Sequence, residues 1–203
     1  MGQDLSAKLI ACFKPPSEIS ATTKTSNNAM SGFNTTKSLT LAVADEIATL
    51  AIEVAKKNSF NPVAICVMDP SGHEIVTKRM DGCPAMVYPK ISHAKANTCV
   101  STKSSSRAYG AKYLKGADGG EVGPSTFARV INQISIVGGD MAAFQGGIIV
   151  KEKSSGDIVG SVGVSGAAGD EDEFCALEGV KQCSMAMELS TVPDNHSCKT
   201  AKL

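Results

Sequence analysis

Only three histidines occur in the chain, His73, His93 and His196, and two of them stand close in sequence to a cation. His73 precedes Arg79 in "GHEIVTKR", and His93 precedes Lys95 in "ISHAKAN". Imidazole suits proton transfer near neutral pH. A guanidinium or ammonium nearby holds an anionic group in place. The turn "GVSG" adds a third component, because Ser165 and Gly166 lead into a helix whose first N–H groups can meet a carboxylate. Together these residues would hold a small organic acid, with His73 or His93 as acid or base. No nucleophile–base pair and no metal-ligand spacing is legible, so the sequence assigns no catalytic residue and no metal site. Each residue also has a structural reading. His73 would be the exposed tip of a turn, Lys95 would snorkel to water, and His196 would lie idle near the C-terminus.

Several elements must position these groups. "SLTLAVADEIATLAIEVAKKNSF" carries apolar residues at Leu39, Val43, Ile47, Leu50, Ala51 and Val54, which is helical spacing. Ser38 or Thr40 would cap its start, and Asn58 sits near its stop. "PVAICVMD" is a short β-branched run between prolines and predicts a buried strand. "PSG" supplies turn residues, and "HEIVTKRM" alternates enough to be the antiparallel partner. "KISHAKANTCVSTKSSSRAYG" predicts a helix with a small-residue face. Residues 104–124 are loop-rich, and "STFARVINQISIVGGD" predicts a short helix. "QGGIIVKE" and "DIVGSVGVSG" form a second hairpin, its second strand punctuated by glycines that mark bulges or close backbone approach. "AAGDEDEFCALEGVKQCSMAMELS" predicts a last helix, with acidic residues where the helix dipole prefers them. Hairpins alternating with helices imply an α+β domain, an antiparallel sheet of about five strands covered by helices. The domain is expected over 38–190, and 191–203 reads as a flexible tail.

Charge and composition narrow the partners. The 203 residues hold 20 basic and 20 acidic side chains, and aromatics make up 4%. Nucleic-acid binders need positive charge and stacking platforms, so nucleic acid is excluded as the expected partner. The seven cysteines lack any C-x-x-C pair and fit neither a zinc site nor a disulfide framework. Reduced thiols in a cytoplasmic setting follow. No apolar run is long enough to span a bilayer. The first 37 residues read as a disordered polar arm rich in Ser, Thr and Asn. "MGQDLSAKL" matches the myristoylation pattern with Gly2 as acceptor and Ser6 in place. Cys12 could carry a second acyl group, since one chain alone anchors only reversibly. A peripheral position at a membrane follows from that pattern.

Four stretches, in order, carry a resemblance: "VMDPSGHEIVTKRMDG", "KISHAKANT", "FQGGIIV" and "VGSVGVSGAAGDEDEFCALEG". Over about residues 39–190 the chain resembles the GlcG/HbpS-like domains, haem-binding or haem-degrading proteins whose fold also forms the C-terminal part of PduO-type proteins. The resemblance implies a profilin-like fold, frequent homo-oligomerisation and haem as the cofactor to expect. The usual "GGVPI" of the family reads Gly146-Gly147-Ile148-Ile149-Val150 here, and the usual Thr-Pro before the last helix is Ala168-Gly169. Haem requires an apolar slot, an axial ligand and cations for its propionates. His73, His93, Met80 and Met86 are the axial candidates, and Arg79 and Lys95 the cations. Three functions are expected: a haem or tetrapyrrole binder assisting haem handling or degradation, a helper or enzyme for a small organic acid, or a membrane-tethered interaction protein that keeps only the scaffold.

Overall fold

A computed structural model describes residues 35–114 and 122–202. Helix α1 (Leu41–Asn58) opens where the Thr40 hydroxyl accepts from the Val43 N–H at 3.4 Å, and closes on Ser59 in the left-handed region. Of the two expected caps, Thr40 acts. One stripe of α1, including Ala44, Ile47, Ala51 and Val54, is buried.

The strands β1 (Ala64–Met68), β2 (Glu74–Arg79), β3 (Gly147–Glu152), β4 (Ile158–Ser165) and β5 (Leu189–Val192) form one sheet in the order β2-β1-β4-β3-β5. Every neighbouring pair is antiparallel. The α+β architecture and the five-strand sheet agree with the sequence expectation. Strand β1 is buried on both faces. Its Ile65 and Val67 join the main core beneath α1 and α5 (Gly169–Gln182), while Cys66 and Met68 meet Ala96 of α2 (Tyr88–Thr102) on the other face. Period-two alternation thus splits one apolar strand between two layers, and each large side chain so buried stabilises by about 1.5–3 kcal/mol.

Helix α2 lies across β1, β4 and β3, and glycine makes that approach close. A Cβ on Gly163 would run into the Ser92 carbonyl and the Ala96 nitrogen; one on Gly147 would sit 2.6 Å from the Lys95 carbonyl oxygen. The glycines that punctuate the second hairpin are therefore the seat of α2.

Three segments differ from the expectation. The last helix ends at Gln182 instead of running to Ser190, so that Leu189 and Ser190 lie in β5. The loop-rich region holds α3 (Ser106–Leu114), whose start is fixed by the Ala108 N–H donating to the Ser105 hydroxyl at 3.2 Å. It packs against α4 (Pro124–Ile136) through Tyr109 and Val130, a tertiary contact with no period in the sequence. The segment expected as a tail begins inside β5, whose Thr191 and Val192 pair with Val150 and Ile149. Beyond it, Cys198 is buried and the His196 ring stands edge-on to Phe174 at 4.6 Å. Four residues of edge strand are too short a pattern to separate from coil.

Candidate functional site

Helix α2 begins with Pro89 in its first turn, where a missing N–H costs nothing. One turn on, His93 faces the Glu74–Thr77 side of β2. The loop Gly138–Gly139, both at positive φ, swings Asp140 over the same place. His93 Nδ1 is 2.9 Å from Asp140 Oδ1. Asn97, one turn further along α2, donates to the Asp140 carbonyl at 2.8 Å and to its Oδ2 at 3.0 Å. An ionised carboxylate only accepts, so Nδ1 is the donor of this bond, and in the neutral ring Nε2 is the nitrogen left with a lone pair. Nε2 has no hydrogen-bond partner among the described residues. Glu74, Thr77, Pro89, Lys90, His93 and Asp140 line a groove of about 420 Å³ at this point.

The other predicted residues lie apart or are already engaged. His73 is 82% exposed and turns onto its own Asp69, Nδ1 to Oδ2 at 3.4 Å. Gly72 of the same turn lies against Asn97 and Val100 of α2, and His73 is not among the residues that line the groove. Arg79 projects from the same face of β2 as Thr77, two residues further on, with Nη1 donating to the Cys83 carbonyl at 2.6 Å. Met80 packs into the opposite core, and its Sδ accepts from the Val63 N–H at 3.4 Å, which removes it as an axial ligand. Met86 is exposed just before α2. Gly2 and Cys12 lie outside the described residues.

Lys95 reverses both of its readings, since it does not reach water and its ammonium is held by protein groups. It is 1% exposed; Nζ donates to Asp172 Oδ2 and to the Val164 carbonyl, each at 2.8 Å. Burial pushes the ammonium down and lifts the Asp172 carboxyl to about 6, while mutual attraction opposes both. Ser165 is buried opposite Ala64, and Gly166 takes a φ of 142° where a Cβ would strike the Pro62 carbonyl. The N–H groups expected there for a ligand are taken by the helix itself. Ala167 donates to Asp172 Oδ1 at 3.0 Å and Ala168 to Glu171 Oε2 at 3.1 Å. The acidic start of α5 is thus partly an internal cap.

Sequence reasoning passed over Asp140, Asn97 and Glu173. The His93/Asn97 spacing, one helical turn, is a visible signal; nothing near Asp140 in sequence announces its partner. Glu173 is wholly buried, neither carboxyl oxygen has a hydrogen bond, and Arg107 Nε lies 3.3 Å from Oε2. Burial raises this carboxyl to about 7, with Arg107 pulling it back. Among the described residues no group of three His, Cys, Asp or Glu side chains is arranged to hold a metal ion. None of the described helices is long and apolar enough to cross a membrane.

Known proteins share this arrangement of elements. The crystal structure of HbpS superposes with a TM-score of 0.58 at 27% identity, over 73% of this chain and 92% of its own. PduOC in its haem complex gives a TM-score of 0.58 at 21% identity, covering 72% of this chain and 97% of its own. The Klebsiella pneumoniae protein ORFY gives 0.61 at 22%, covering 74% and 93%. These last two speak for the fold alone. No curated protein matches the sequence significantly. The profile described as "Haem degrading protein HbpS-like" matches residues 39–181, and the chain therefore belongs to the HbpS-like family.

Proposed function

We propose that this protein binds haem or a related tetrapyrrole at the α2–β2 groove, with Nε2 of His93 as the axial ligand. The hydrogen bond between His93 and Asp140 carries this reading. A carboxylate behind an imidazole fixes the ring, sets the tautomer and raises the basicity of the far nitrogen. Lys90 on the groove and Arg79 further along β2 are the cations for the propionates, in place of buried Lys95. The side chains that line the groove itself are mostly polar. Met86, 75% exposed, and Val87, which precede α2, are uncovered apolar side chains close to it in sequence, and covering them would release water. Membership of the family supports haem as the ligand class. Bound haem would supply the iron chemistry; the chain's own residues bind, orient and shield it.

The groove is open on one side, so we infer a homo-oligomer in which a second copy provides the facing wall. We also propose acylation at Gly2, with Cys12 as the second anchor of a protein held at a cytoplasmic membrane face. Intact mass of the natively expressed protein tests that part, and an unmodified N-terminus overturns it.

A haemin titration of the full chain, followed at the Soret band, tests the ligand. The expected result is a saturable one-to-one band that is lost in His93→Ala and kept in His73→Ala. A band that persists in His93→Ala moves the axial ligand to Met86. No saturable band in the unaltered protein overturns haem binding.

A further inference from the structure

We propose that a second groove, between α3 and Ala143–Gln145, binds a small carboxylic acid through Arg107, which exchanges Glu173 for the ligand's carboxylate. This groove measures about 460 Å³, within the range of about 300–1,000 Å³ usual for small-molecule sites. Ala108, Ala111, Ala143 and Phe144 make it apolar, with Arg107 and Gln145 as its polar side chains. Phe144 is 45% exposed, with buried Lys95 Nζ over the ring at 5.1 Å.

Behind Arg107 lies the reason to expect an anion. Glu173 is sealed from solvent, and the Arg107 contact at 3.3 Å is not aligned as a hydrogen bond. The groups facing Glu173 are Arg107 of α3, Lys95 and Cys99 of α2, and Asp170 of its own helix. Lys95 is committed to Asp172, so no second cation holds the Glu173 charge, and burial favours its neutral form. Arg107 then lacks an ionised partner of good geometry; its other contact is the Asn195 carbonyl at 3.4 Å. A guanidinium matches a carboxylate with two parallel N–H donors. An incoming carboxylate would take those donors and lay an alkyl tail along Phe144 and the alanines. In the fraction of molecules where Glu173 is still ionised at neutral pH, it would take up a proton from the buffer as Arg107 leaves it, and no covalent bond changes. This site shares no residue with the His93 groove and does not depend on haem.

Calorimetry of the full chain with acetate, butyrate, hexanoate and hexanamide tests it, in two buffers of different ionisation enthalpy at neutral pH. Affinity should rise with chain length, and the amide should bind about tenfold more weakly or worse. Proton uptake should accompany acid binding. Arg107→Gln should lose about tenfold or more, and Ala111→Phe, which fills the groove without touching the ion pair, should abolish binding. Glu173→Gln should retain binding but lose the proton uptake. Equal affinity for acid and amide, unchanged binding in Arg107→Gln and Ala111→Phe, or no heat with any acid would overturn the proposal. Haemin binding by the same variants, read in parallel, keeps failure here distinct from failure of the haem reading.

Discussion

His93 and Lys95 are two residues apart on one helix and meet opposite fates. At about 100° per residue they point some 200° apart, one across the sheet edge toward water, the other down into the junction of β3, β4 and α5. His93 keeps one nitrogen bonded and one open. Lys95 has a carboxylate and a carbonyl as partners and almost no solvent. The first arrangement can take a ligand; the second fastens elements together. Chemical type does not separate them, since the cation is the more suggestive residue in sequence. Burial and the count of satisfied donors do.

The sharpest way to break this contrast is Lys95→Met. Removing one partner of a buried pair leaves the other uncompensated, so urea unfolding should show a loss of about 3–5 kcal/mol. Adding Asp172→Asn should recover part of that, and haemin binding by the folded variant should be unchanged. If Lys95→Met binds haemin poorly while folding normally, the two regions are not separate.

Next in size is Glu173→Gln, on the buried side of the comparison. The unfolded carboxyl loses its proton near 4.5, whereas the folded one holds it to about 7. Between those values the folded state binds more protons, so stability falls as pH rises through the window and stays lower above it. The variant should gain up to about 3 kcal/mol over the unaltered protein above the window, and nothing below it. Unfolding curves at several pH values decide this; a gain that ignores pH would refute the burial account.

On the wet side the effects move from stability to binding. Asp140→Asn should weaken haemin about 10–100-fold, since it removes the charge behind the imidazole. His93→Ala should change unfolding free energy by no more than about 1 kcal/mol, because its ring is partly exposed and has one hydrogen-bond partner, Asp140, among the described residues. A larger loss would make His93 another fastener.

Much of the fold was legible because its carriers were periodic. The α1 stripe, the two hairpins and the α5 stripe each repeat at the spacing their burial requires. Helix α3 was not legible, since Ser106–Leu114 has no apolar period and is helical through what it packs on. The site was half legible: His93 stood out as a rare residue type, while Asp140 reaches it only through a loop 47 positions away. Lys95 was misread because sequence shows a charge but not the carboxylate, 77 positions on, that buries with it.

The seat of α2 on Gly163 and Gly147 bears on precision. Where two layers meet through bulky side chains, rotamers give way and small errors are absorbed. Here backbone rests on backbone, with no yielding layer between, so the sheet acts as a datum surface for everything α2 carries. A methyl group added at Gly163 would lift the helix as a rigid bar, and the imidazole at position 93 would move by the full thickness of the shim.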